Sequence, residues 1–269
     1  MVKILMPTDF STAASNALEY AVELAEKLDA TIDLIHIYRI PSQDGSETSY
    51  DRIKELKSDM EKNIDKQFGQ FTYKVPATVM GKTKPVYGLF TAMEIADFAK
   101  IGDYDYIVMG MKGEHSRVEK WIGTVTTDTK LKAKCPVIAV PENASFQPIE
   151  SIVYATDFEP NDRSAVVQLM TFAGKMMAGI HFVNVNMTTK DELVKELSFE
   201  EVQEIPFSDF NVVAAKSVEG GLSKFASTNK MDMLALYIPN RRLFERLFHR
   251  RVSKAVALHT DIPLIVIHE

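Results

Sequence analysis

The sequence predicts an α/β protein built as two tandem open parallel sheets. Three observations predict it. Short apolar runs alternate with helix-periodic segments along the chain, the pattern of a parallel sheet covered by helices. The opening recurs: Ser151 to Phe158 (SIVYATDF) repeats Lys3 to Phe10 (KILMPTDF) at a spacing of 148 residues. A later stretch recurs too, since Asp261 to Val266 (DIPLIV) repeats Lys134 to Ala139 (KCPVIA) at a spacing of 127. A whole domain is duplicated, over 1–144 and 145–269, and the second copy is 21 residues shorter in its middle.

Lys3 to Met6 is an apolar strand that runs into Pro7-Thr8-Asp9-Phe10. Ser11 is a good N-cap, because its hydroxyl accepts from a free helix N–H. The helix it opens runs from Thr12 to Leu28, where Ala14, Ala17, Leu18, Ala21, Val22, Ala25 and Leu28 recur at helical spacing. Thr31 to Tyr38 is β-branched and apolar, so it reads as the second strand after a right-handed crossover. Pro41 to Ser49 is polar and reads as a loop. Tyr50 to Phe68 reads as a helix with Ile53, Leu56, Met60 and Ile64 on one side. Phe71 to Met80 is expected as the third strand, Gly81 to Pro85 as a loop and Leu89 to Lys100 as the third helix. Gly102-Asp103 breaks that helix before a fourth strand, Tyr106 to Met109. A polar, helix-compatible segment and a fifth strand, Val137 to Val140, complete the first copy. Asn143 to Pro148 reads as a linker.

Composition narrows the function classes. The 269 residues carry a net charge of −6, without the basic footprint of a nucleic-acid binder. No apolar stretch approaches the roughly 18 residues of a membrane span, and the first residues are too short an apolar run for a signal peptide. Cys135 is the single cysteine, so no internal disulfide forms and a reducing cytoplasm is expected.

The chemistry concentrates between Tyr106 and Val140. A strand is followed by Gly110 and Gly113, then Gly123 and Thr124 before a helix-compatible segment. Glycines let a backbone approach a ligand closely. A helix starting just after them turns free N–H groups and a positive dipole end toward an anion. The spacing is neither a Walker A loop nor Gly-x-Gly-x-x-Gly.

Gly110, Gly113, Gly123 and Thr124 fit the Gly-x2-Gly-x9-Gly-Ser/Thr motif of the universal stress protein family, and the following Cys-Pro-Val strand fits its continuation. The chain closely resembles that family, as two fused domains of which the second is degenerate. The resemblance implies a Rossmann-like fold of the adenine nucleotide alpha hydrolase-like kind. It also implies a nucleotide, ATP or AMP, with Pro7, Thr8, Ile37 and Met109 around the base. Asp9 would lie beside base and ribose and would hold Mg²⁺ through phosphate. Gly110 and Gly113 would wrap the ribose and phosphates, while Gly123, Thr124, Val125 and Thr126 would give them N–H groups and hydroxyls. Family members pair through their last strands, so Val137 to Val140 and Leu264 to Ile267 are the expected contact of a built-in pseudo-dimer, with a homodimer also open.

At the spacing of 127, the second copy has Tyr237, Asn240, Arg250 and Arg251 where the motif residues stand. Bulky side chains there argue against a second nucleotide. Arg241, Arg242, Arg246, His249, Arg250, Arg251 and Lys254 form a basic cluster, read as the solvated face of an amphipathic helix or as a different anion site. Asp9 by itself could equally cap the first helix. His36 is expected as a satisfied core residue and Cys135 as buried and inert. Lys112, His115 and Arg117 are expected as solvated loop charges, with Trp121 packing the loop or a domain surface.

Three functions stay open at this level. The first is a cytoplasmic stress-response protein that binds an adenine nucleotide and signals to a protein partner, without nucleic acid, membrane or committed chemistry. The second is a slow ATPase or nucleotidyl-transfer enzyme. The third is an interaction module with a non-nucleotide ligand.

Overall fold

A computed structural model of the chain describes residues 1–40, 50–111, 125, 129, 133–156, 163–186, 209–238 and 261–268. The described residues fall into two compact units, one reaching Glu142 and one starting at Asn143. Each is a parallel α/β sheet, as the alternating pattern predicts.

The first unit begins with β1 (Val2–Pro7), α1 (Thr12–Leu28) and β2 (Ala30–Tyr38). Ser11 caps α1, its Oγ accepting from the Ala14 N–H at 3.3 Å. Asp29 ends the helix in a left-handed conformation, with φ at 51°. The small residues along α1 let it lie close on the sheet, and Ala17, Ala21, Leu24 and Ala25 are fully buried. α2 (Tyr50–Phe71) is long and mostly exposed, with Ile64 and Phe68 as its buried residues. Next come β3 (Met80–Tyr87), α3 (Thr91–Gly102), β4 (Tyr106–Met111) and β5 (Val137–Pro141). Val125 and Thr129 are helical. The strand order is β3-β2-β1-β4-β5.

The third strand is a correction. Phe71 ends α2, and Thr72 stays with that helix, its N–H and Oγ1 both donating to the Phe68 carbonyl. Val75, Val79 and Met80 close turns on Thr72 and Pro76. The strand is instead the segment expected as a loop. β3 is the outer strand of this sheet, and Gly81 to Lys84 are exposed on it. An outer strand needs no apolar run and tolerates Pro85, whose missing N–H breaks no central ladder. Gly81 is required by a close approach: a Cβ there would sit 2.9 Å from the Ile32 carbonyl oxygen and nearer still to the Asp33 carboxylate.

The second unit holds β6 (Ser151–Ala155), α4 (Arg163–Met176), β7 (Gly179–Asn186), β8 (Asp209–Ala214), α5 (Val218–Thr228), β9 (Met233–Ile238) and β10 (Leu264–His268). Its strands run β10-β9-β6-β7-β8, the order of the first unit read from the other end. β4 and β9 span matching residues at the spacing of 127, as do β5 and β10. The spacing changes between β7 and β8, so the shortening falls where the first unit carries α2. No described helix is long and apolar enough to cross a membrane.

Candidate functional site

In the first unit the chain leaves β1 toward β2 on one side and returns to β4 on the other. Ligands bind at the carboxyl ends of strands where the order reverses in this way. A cavity of about 170 Å³ lies there. Pro7 comes to it from β1, His36 and Ile37 from β2, and Met109 and Gly110 from β4. Thr8, Asp9 and Ser11 come from the corner after β1, Ala13 and Ala14 from the first turn of α1, and Thr91 and Ile95 from α3. Val125 completes the lining.

The corner is held by short local bonds. The Thr8 N–H donates to the Ile35 carbonyl at 2.9 Å, carrying the β1–β2 ladder one residue past the strand. Thr8 Oγ1 accepts from the Phe10 N–H at 2.9 Å, and Asp9 Oδ1 from the Ser11 N–H at 3.0 Å. These bonds turn the backbone sharply and leave Phe10 with φ at 59°, a conformation a bulky residue adopts only when its surroundings enforce it. The enforcement is aromatic: the Phe10 ring packs on His36, Phe68 and Phe71 with centroids 4.8, 5.2 and 5.5 Å away. Asp9 stays exposed. Capping of α1 falls to Ser11, and Asp9 orders the turn before it.

Gly110 pairs with Val140 within the sheet, and its bare Cα faces the start of α1. A Cβ there would lie 2.5 Å from the Ala13 carbonyl oxygen and 2.7 Å from its carbon. That oxygen and carbon belong to a helix backbone and cannot swing aside. Glycine at this position lets helix and strand meet beside the cavity.

The other wall is apolar. Met109 and Ile95 are buried in one cluster with Leu5, Ile35, Ile107, Val137 and Cys135. Burial pushes the Cys135 thiol up to about 12, so it is protonated and inert at neutral pH. His36 is half-buried, and its Nδ1 lies 2.7 Å from the Thr8 carbonyl oxygen. A carbonyl only accepts, so Nδ1 carries the proton. The residue is satisfied, as expected, and it also borders the cavity.

Of the residues singled out from the sequence, Pro7, Thr8, Asp9, Ile37, Met109, Gly110 and Val125 line this one cavity. Gly113, Gly123, Thr124 and Thr126 lie outside the described residues, as do Pro41 to Ser49, Lys112, His115, Arg117, Trp121 and the basic cluster Arg241 to Lys254. Sequence reasoning missed Ser11, Ala13, Ala14, Thr91 and Ile95 as lining, and His36 as a bordering residue. A capping serine and two alanines read as ordinary helix start, and α3 approaches the site only through sheet order. Among the described residues no cluster of three or more His, Cys, Asp or Glu side chains forms a metal centre.

Comparison with known proteins bears on the same region. The profile described as "Universal stress protein family" matches residues 1–141. A protein of Methanocaldococcus jannaschii, "Universal stress protein MJ0531", is 27% identical over 144 residues, covering 51% of this chain and 81% of that one. Among solved structures, a universal stress protein from Archaeoglobus fulgidus superposes with a TM-score of 0.74 at 14% identity, over 99% of this chain and 98% of the other. The functionally unknown protein PA1789 of Pseudomonas aeruginosa gives 0.63 at 13% identity, over 99% and 92%. At such identities these two structures speak to fold alone.

Proposed function

The chain belongs to the universal stress protein family, and from that premise we propose that its first unit binds an adenine nucleotide, ATP or AMP, as a signalling ligand. The observation that carries this reading is the cavity at the strand-order reversal, where Thr8, Asp9, Ile37, Met109, Gly110 and Val125 meet. Its apolar wall suits a flat base. Its volume, below the roughly 300–1,000 Å³ of a whole-ligand pocket, suits base and ribose, with the phosphates running on toward the glycine motif. Gly113, Gly123, Thr124 and Thr126 would meet those phosphates with backbone N–H groups and hydroxyls.

Mg²⁺ fits the chemistry of the corner. That ion keeps its waters and binds through one or two carboxylates together with phosphates, and Asp9 is an exposed carboxylate on the cavity lining. Asp9 would hold it; the ion would neutralise phosphate charge.

We read the second unit as a degenerate domain that lacks the glycine motif. Tyr237 stands in β9 where Gly110 stands in β4, and a phenol side chain takes the place of a bare backbone. The test is the identity and amount of nucleotide released on denaturing the freshly purified protein, followed by titration with ATP, ADP and AMP. One adenine nucleotide per chain is expected, abolished by Gly113→Val and by Gly123→Val. Two per chain would overturn the reading of the second unit. Parent-like ATP binding in both variants would overturn the site.

A further inference from the structure

His36 has an unexpected counterpart. In the second unit Asn184 occupies the same place on β7 that His36 occupies on β2, at the spacing of 148 residues. Asn184 Nδ2 donates to the Thr156 carbonyl at 3.0 Å, and His36 Nδ1 meets the Thr8 carbonyl at 2.7 Å. Both threonines send their own N–H to the preceding residue of the neighbouring strand, Thr8 to Ile35 and Thr156 to Val183. Two different side chains thus place one N–H on one carbonyl. They share a donor at the δ position of a short side chain; the imidazole ring, its charge and its Nε2 are not shared. The common requirement is a donor that satisfies a carbonyl just past the end of the first strand.

In the first unit this carbonyl is the base of the corner. Thr8 Oγ1 holds Phe10, Asp9 Oδ1 holds Ser11, and Ser11 Oγ holds the first turn of α1. Phe10, strained at φ 59°, packs its ring directly on His36. Freed from His36, the Thr8 peptide can rotate. Asp9 and the first turn of α1, which line the cavity, would then lose their fixed placement beside it.

We infer that His36 is a positioning residue for the ligand, acting through its Nδ1–H on the Thr8 carbonyl rather than through ring charge or Nε2. This rests on the nucleotide reading above. The discriminating variants are His36→Asn, which keeps a δ-position donor as Asn184 does, and His36→Leu, which removes it. His36→Gln is a second disruptive variant, because its amide reaches past the δ position.

Two measurements are made on the full chain. Amide hydrogen exchange of the 8–14 segment is read without ligand, and ATP affinity is read by titration, each beside the thermal midpoint. His36→Asn is expected to keep the exchange protection and to bind ATP within about threefold of the parent. His36→Leu and His36→Gln are expected to lose protection at Phe10, Ser11 and Ala14 and to bind about tenfold more weakly, with the chain still folded. A residue that merely fills space would give the opposite rank, with leucine tolerated and asparagine not. Parent-like protection in His36→Leu, or weak binding in His36→Asn, overturns the inference. If the parent itself binds no adenine nucleotide, the nucleotide reading fails and the exchange arm alone decides whether His36 holds the corner.

Discussion

Lys3 and Asp105 exchange two hydrogen bonds: the Lys3 N–H donates to Asp105 Oδ2 at 2.8 Å, and the Asp105 N–H donates to the Lys3 carbonyl at 2.9 Å. This clamp sets the register in which β4 joins β1, with Ile4 opposite Tyr106. The second unit repeats it with Ser151 and Asp232, at 2.9 Å in both directions. Asp232 Oδ2 also accepts from the Glu150 N–H at 2.9 Å. Lys3 further bonds the Gly102 carbonyl through Nζ, which lies 5.2 Å from the centre of the Tyr104 ring.

Asp105→Ala removes the acceptor and should destabilise the first unit by about 1 kcal/mol, the net worth of one such bond. Asp105→Asn keeps an oxygen there and should cost less. Urea unfolding followed by circular dichroism checks both; equal midpoints for Asp105→Ala and parent would show that the clamp carries no stability.

Gly110→Ala puts a methyl group 2.5 Å from the Ala13 carbonyl oxygen. The cost is expected at about 1–3 kcal/mol, the range for forcing extra volume into a packed contact. ATP affinity should fall with it, because α1 must move away from the cavity. A fully stable Gly110→Ala protein would mean that helix and strand do not meet as closely as described.

Asp9→Asn separates geometry from charge. The amide oxygen still accepts from the Ser11 N–H, so the thermal midpoint should stay within about 1 °C of the parent. With Mg²⁺ present, ATP affinity should fall about tenfold if the carboxylate meets the metal–phosphate. Unchanged affinity in Mg²⁺ would remove Asp9 from the binding set and leave it a turn residue.

Cys135 and Tyr106 predict an alkaline limit. Burial, the largest cause for each, holds both acids up at about 12 in the folded chain. Unfolded, they ionise near 8.5 and 10. An acid raised by folding contributes stability that is fully present below its unfolded value and lost as pH climbs through the folded one. The unfolding free energy should therefore decline from about pH 9 upward, more shallowly in Cys135→Ala, by up to about 1.4 kcal/mol per pH unit for the thiol. Native protein should resist alkylation by iodoacetamide at pH 8 and react once denatured. Rapid labelling of the native chain would contradict the burial.

Much of this molecule was legible locally. α1 runs from Thr12 to Leu28 as its alanine spacing predicts, and β1, β2, β4 and β5 lie within a residue or two of their apolar runs. These segments have two covered faces or one clean apolar stripe, so burial is written into their composition. The matching KILMPTDF and SIVYATDF openings were visible for the same reason. The Pro7-Thr8-Asp9 corner and the glycine spacing pointed to the end of the sheet where the cavity lies.

The tertiary structure alone decided the rest. β3 is an outer strand with exposed Gly81, Lys82, Thr83 and Lys84, so no apolar pattern marks it, while the turn-forming Thr72 to Val79 carries the β-branched residues that mimic a strand. Thr91 and Ile95 reach the cavity because the chain crosses from β3 back to β4. Gly110 answers to Ala13, and His36 to Thr8. By itself the sequence determined which residues are apolar, which turn and which recur. Which strand is outermost, and which distant backbone a side chain must satisfy, depends on pairing between segments far apart in the chain, and no local periodicity records that pairing.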